Sequence, residues 1–154
     1  MDTLDFLEEY KENHRIEAKR AQGGFPGSFW ETYSAFANTL GGVILLGVAE
    51  DEDKALYSVP LPDPQALVRQ FWHRVNDRHF ISANLLQEED VSILCSGNNR
   101  IVCIFVPRAP FHLRPVYVGE DPYSGSYYRR GEGDFRCPKH EVEAMLRDRD
   151  DKLR

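Results

Sequence analysis

Apolar residues recur along the chain at two periods, and the switches between them divide the sequence into elements. Leu4, Leu7 and Tyr10 fall at helical spacing behind Thr3, with acids in the first turns where the helix dipole favours them. A short helix capped by Thr3 is therefore expected to run to about Asn13. Arg15-Ile16-Glu17-Ala18-Lys19 then alternates polar and apolar, the pattern of a half-buried strand on which Arg15, Glu17 and Lys19 share a face. A Gly/Pro loop from Gln22 to Gly27 leads to Ser28, placed to cap a helix that carries Phe29, Tyr33, Phe36, Ala37 and Leu40 on one stripe. Gly41-Gly42 ends that helix, since glycine accepts the left-handed conformation of a helix C-terminus. Val43 to Val48 follows as an unbroken apolar run, the pattern of a strand covered on both faces.

Beyond the acidic turn Glu50 to Lys54, a short strand is expected around Leu56 to Val59. Asp63-Pro64 then starts a helix with Leu67, Val68, Phe71, Trp72 and Val75 inward, ending near His79. Val91 to Cys95 and Arg100 to Val106, separated by Ser96-Gly97-Asn98-Asn99, form the clearest β-hairpin in the sequence. Two further strands are expected at Val116 to Val118 and Ser126 to Arg130, separated by a Pro/Tyr/Gly loop. A last helix runs from Pro138 to about Asp148, with Val142, Met145 and Leu146 on one stripe. The mixed-charge residues 147–154 are expected to be a frayed tail or a truncation point. These elements define an α+β fold, one domain over residues 1–154 with its core at about 6–146, in which about four helices pack on a mixed or antiparallel sheet.

A length of 154 residues fits one domain with a real core. No window approaches the roughly 20 apolar residues of a membrane span, so no membrane partner is expected. The N-terminal MDTLDFLEEYKE has neither the basic start nor the apolar run of a signal peptide, which makes the expected compartment the cytoplasm, or the nucleus in a eukaryote. Cys95, Cys103 and Cys137 lack metal-binding spacing and read as free thiols. A net charge of −6 argues against a uniformly basic nucleic-acid binder. Its distribution weakens that objection, because Val91 to Gly119 holds no acid while carrying Arg100, Arg108 and Arg114.

Two groups of residues carry candidate chemistry. Glu12, Glu17 and Lys19, with Glu50 and Asp51 after the buried strand, are the inventory of a site where carboxylates hold Mg²⁺ or Mn²⁺ and a lysine neutralises phosphate. The bland reading of the same residues is an exposed strand face with an ordinary ion pair. The Gly41-Gly42 turn is not a phosphate loop, because it runs from helix into strand and presents no free helix N-terminus. Late in the chain Arg114, Tyr117, Tyr123, Tyr127, Tyr128, Arg129, Arg130 and Arg136 interleave cations that pair phosphates with rings that stack on unpaired bases. No histidine or serine sits in a recognisable zinc or nucleophile context.

Taken in order, Glu12-x4-Glu17-x-Lys19, SAFANTLGGVILLGVAED (Ser34 to Asp51), PVYV (Pro115 to Val118) and YYRRGEG (Tyr127 to Gly133) resemble the Schlafen-type AlbA-like domain over nearly the whole chain. In bacteria such domains sit at the N-terminus of proteins regarded as transcriptional regulators. The resemblance implies an α+β fold and a nucleic-acid partner, DNA or RNA, with Lys19, Arg114, Tyr128, Arg129 and Arg130 as the contacting residues. Some animal members cleave RNA with a three-carboxylate metal site, which matches Glu12, Glu17 and Glu50 by motif position and implies the alternative of a Mg²⁺- or Mn²⁺-dependent endoribonuclease. The chain departs from that pattern at Ala18, where the family shows an aromatic, and at Glu50, where it shows Asp. It also has no counterpart to the animal zinc set. No cofactor is otherwise called for. A protein-interaction module forming a homodimer is the third reading, since exposed aromatics also make a dimer face.

Overall fold

In a computed structural model describing residues 3–152, a 3-10 turn over Thr3–Leu7 leads into α1 (Glu8–Glu12), followed by β1 (Ile16–Lys19), α2 (Phe29–Asn38), β2 (Gly42–Leu46), β3 (Val48–Glu50) and β4 (Leu56–Ser58). Then come α3 (Pro64–Val75), β5 (Val91–Ser96), β6 (Asn99–Val106), α4 (Pro122–Gly125), β7 (Tyr127–Arg130), β8 (Gly133–Arg136) and α5 (Lys139–Lys152). The expected capping side chain of Thr3 and the last two residues of the tail lie outside what is described.

The main sheet has the order β1-β2-β6-β5, with β1 parallel to β2 and the other neighbours antiparallel. Every residue of β2 is buried, and the pleat sends its side chains alternately to two cores. Ile44 and Leu46 join Val102 and Ile104 of β6 against Phe29, Tyr33 and Phe36 of α2 and Leu67, Phe71 and Val75 of α3. Val43 and Leu45 join Ile101 and Cys103 against Leu4, Leu7 and Ile16 on the opposite face. The apolar run therefore has the two-sided cover that its composition called for, and the α+β class with a mixed sheet holds.

Several local expectations are corrected. The run from Val43 to Val48 breaks at Gly47, whose φ of +86° bends the chain so that β3 leaves the main sheet and pairs with β4. Ser28 precedes α2 but makes no capping bond; its Oγ accepts from Lys19 Nζ at 2.8 Å instead. α3 does begin with Asp63 accepting from the Ala66 amide, yet it stops at Val75. There Asn76 donates back to the Trp72 carbonyl and Asp77 accepts the His79 amide, local bonds that compete with helix continuation. Val116 to Val118 makes only isolated bridges, Tyr117 with Ser126 and Val118 with Ile81. The Pro/Tyr/Gly loop contains α4, capped by Asp121, which makes five α-helices among the described residues rather than about four. β8 was not expected, because Gly133-Asp134-Phe135-Arg136 has little β propensity and owes its state to pairing with β7. α5 runs past Asp148, and Arg149 fixes it there by donating to the carbonyls of Arg114 and Pro115.

The Gly41-Gly42 turn serves both cores. Gly41 has φ +75° and returns its amide to the Phe36 carbonyl at 2.7 Å. A Cβ at Gly42 would lie 2.7 Å from the Arg15 carbonyl oxygen and 2.8 Å from the Phe36 ring, so the close approach of β1, α2 and β2 depends on its absence. Gly42→Ala is expected to lower stability by about 1–3 kcal/mol, the usual cost of overpacking a filled site; an unchanged urea midpoint would show that the turn has room. Burial pushes the Cys103 thiol up to about 12 and, helped by the charge of Glu141, the Cys137 thiol up to about 11. Both stay protonated well above neutrality, and since the thiolate is the reacting form they should resist a thiol reagent at mildly alkaline pH until the protein is denatured. Reaction of either in the folded protein would contradict this packing.

Candidate functional site: a buried arginine and the hairpin it carries

α2 carries a polar stripe beside its apolar one, and that stripe holds β7. Ser34 Oγ donates to the Val116 carbonyl and accepts from the Tyr127 amide. The Asn38 side-chain amide donates to the carbonyls of Val116 and Tyr127 while its oxygen accepts the Val116 amide. Thr39 Oγ1 accepts the amide of Arg129 at 2.9 Å. Side chains of a helix thus supply hydrogen bonds that a neighbouring strand would supply in a sheet, and β7 lies along α2 with β8 outside it. Apolar periodicity alone marks only one face of α2; the signal for the second is the i, i+4 spacing of Ser34 and Asn38 inside an otherwise apolar segment.

Arg129 then reaches inward. Its side chain is 6% exposed and its Nη1 lies 3.0 Å from both Glu17 Oε1 of β1 and Asp134 Oδ1 of β8, carboxylates that are 27% and 14% exposed. Nε donates to the His14 carbonyl and Nη2 to the Ile16 carbonyl, and the guanidinium lies 5.0 Å from the centre of the Phe36 ring. Asp134 is itself fixed by a 2.6 Å bond from Thr32 Oγ1. This arrangement is a charge-assisted clamp joining β1, α2 and the β7–β8 hairpin.

The candidate carboxylates are only partly assembled. Glu17 and Glu50 line one cleft of about 130 Å³ together with Lys11, His14, Ile16, Arg129 and Glu132. Glu12, exposed at the end of α1, does not line it. Asp51 spends Oδ1 on the amides of Asp53 and Ala55, which shape the β3–β4 turn. Lys19 is bonded to Ser28, away from Glu17. Among the described residues no group of three or more His, Cys, Asp or Glu is placed to hold a metal ion. With Glu17 engaged by Arg129, the set does not fit Mg²⁺ or Mn²⁺, which prefer several convergent oxygen ligands.

The cations expected to meet phosphate do not share one surface. Arg114 sits with Arg108 and Asp148; partial burial and the Arg108 charge pull its pKa down. Arg129 faces inward. Arg130 is exposed, and by the pleat it shares the outward face of the hairpin with Tyr128. Tyr128 pairs across the strands with Phe135, ring centroids 5.8 Å apart, and Phe135 is 48% exposed. Behind Tyr128 lies a shallow groove bordered by Asn38, Cys137, Glu141, Ala144 and Met145. Phe135 was missed in the sequence because β8 was.

An α+β domain with this hairpin docked on its helix is a recognisable class, and the chain belongs to the Schlafen AlbA_2 family, whose description, "Schlafen, AlbA_2", matches residues 7–138. Among solved structures it is similar to the N-terminal domain of a protein from Nitrosomonas europaea named as related to the ATP-dependent DNA helicase RecG, at 33% identity and a TM-score of 0.62, over 87% of this chain and 90% of that one. It also shares its fold with the DIP2311 protein of Corynebacterium diphtheriae, at 20% identity and a TM-score of 0.55, covering 89% of this chain but only 24% of that one. No curated protein matches the chain.

The clamp makes a sharp expectation. Arg129→Leu keeps the apolar contact with Phe36 but leaves Glu17 and Asp134 partly buried without their partner, and should cost about 3 kcal/mol in urea unfolding. Mn²⁺ at millimolar concentration should leave the melting midpoint of the wild-type protein unchanged. A midpoint that rises with Mn²⁺ in wild type but not in Glu17→Gln would instead make Glu17 a metal ligand.

Proposed function

We propose that the chain is a nucleic-acid-binding domain whose contact surface is the outward face of the β7–β8 hairpin. The observation that carries this reading is the cross-strand pair of Tyr128 and Phe135, with Phe135 nearly half exposed, on the same face as the exposed Arg130. Rings of this kind stack on unpaired bases and an adjacent guanidinium pairs with phosphate, which together make a binder of modest sequence preference. The family membership and the helicase-related name of the Nitrosomonas europaea protein support the same class of partner. In this reading Arg129 is a positioning residue that holds the hairpin on the body, while Lys19 and Arg114, carried on other elements, are not required by the face.

Fluorescence anisotropy with labelled single-stranded DNA and RNA tests the proposal. Phe135→Ala should weaken binding about 5- to 100-fold, the range for one lost base stack. Arg130→Ala should lower the slope of log affinity against log salt by about 0.7, the value for one phosphate contact on a single strand. Wild-type protein that binds neither strand, or variants that bind as tightly as wild type, would refute it. Mn²⁺-dependent shortening of the labelled strand, lost in Glu17→Gln, would replace the binding reading with a nuclease one.

A further inference from the structure

The main sheet has two edges, and the structure treats them differently. On the β1 side the guanidinium of Arg129 occupies the outward carbonyls of His14 and Ile16, so that edge is closed by a side chain. On the other side β5 is the terminal strand. Its pairing with β6 closes through the two-residue turn Gly97-Asn98, which makes Ser96 and Asn99 a hydrogen-bonded pair. Antiparallel alternation then points the amide and carbonyl of Leu94 and Ser92 at β6, and those of Ile93 away from it. Among the described residues the outward Ile93 groups have no backbone partner. β5 carries no charge, no proline and no bulge, three devices that commonly guard an edge strand, although the Thr3–Leu7 turn packs against it through Leu94.

We propose that two copies of the chain associate by antiparallel pairing of their β5 strands about a two-fold axis at Ile93. This goes beyond the nucleic-acid reading and stands independently of it. In that pairing Ile93 lies opposite Ile93 of the second copy and each donates its outward N–H to the other's carbonyl. The half-buried Val91 and Ile93, which border the α2–α3 core, and Leu94, which borders the opposite core, are covered at the same time. Charge selects a second copy over an arbitrary strand. The register runs the acidic segment Glu88–Asp90 of one copy alongside the Gly97-Asn98 turn of the other, beside its exposed Arg100, and the two-fold axis makes this complementary contact twice.

Sedimentation velocity on the full chain, over a dilution series, should show a species of twice the 17.8 kDa chain mass that dissociates on dilution. In hydrogen exchange the Ile93 amide should be protected along with that of Leu94, and its protection should fall on dilution while that of Leu94 persists. Ile93→Pro removes the outward N–H without removing a bond to β6 and should yield monomer. Should that variant fail to fold, the surface pair decides: Arg100→Glu should weaken the dimer roughly tenfold through loss of two symmetry-related ion pairs, and Glu89→Arg combined with Arg100→Glu should restore it. A wild-type protein that is monomeric at every concentration would overturn the proposal. So would a dimer in which the Ile93 amide exchanges freely, or one that neither Ile93→Pro nor Arg100→Glu weakens.

Discussion

Dehydrating a guanidinium costs several kcal/mol unless its donors are met and its charge is balanced, and the Arg129 side chain is almost wholly withdrawn from water. The cost is offset only by partners that arrive from different parts of the chain: a carboxylate from β1, a carboxylate from β8, two carbonyls from the edge of β1 and an aromatic face from α2. None of these groups is local to Arg129 except Asp134. The clamp therefore forms only when the N-terminal strand, the central helix and the C-terminal hairpin are all in place, which makes it a check on the tertiary structure as a whole. It also explains the position of Glu17. A carboxylate on the polar face of β1 is required by the arginine above it, whether or not it ever meets a metal, and a neutral residue there would leave the guanidinium partly unpaired.

The parts of this arrangement that were legible in the sequence are those set by a single period. β2 could be read from its unbroken apolar run, the Gly41-Gly42 turn from its glycines and the β5–β6 hairpin from two alternating runs around Gly-Asn. Asp63 as a cap was legible for the same reason: the bond spans three residues. What was hidden depends on partners far along the chain. Ser34 and Asn38 look like minor interruptions of an apolar helix until Val116 and Tyr127, about 80 to 90 residues later, are laid against them. Arg129 looks like half of an exposed Arg-Arg pair, because composition cannot say that a strand sends one arginine inward and the next outward. The E-x-K motif was divided in the same way, Glu17 going to the clamp and Lys19 to Ser28. Gly47 shows the limit of a local rule: the glycine was visible in the apolar run, but that it would turn β3 out of the sheet depends on β4 being there to receive it.

The same clamp decides what the protein shows to its surroundings. A hairpin of two four-residue strands is marginal in isolation, and an unanchored one would have to lose its own conformational freedom on meeting a ligand. Here one face of β7 is tied to α2 through Ser34, Asn38 and Thr39 and to the body through Arg129, so the opposite face, with Tyr128, Phe135 and Arg130, is held in place before anything binds. The ordering cost has been met in folding, which leaves more of any contact energy to appear as affinity. The net charge of −6 does not cancel this. At physiological salt charges more than about 8 Å apart are largely screened, and much of the acid lies elsewhere, with Asp51 in the β3–β4 turn and Glu88 to Asp90 ahead of β5, while Glu132 at the hairpin tip is paired with Lys54. An acidic protein can thus present a local cationic and aromatic face, and burying Arg129 with two carboxylates is what separates that face from the acids beneath it.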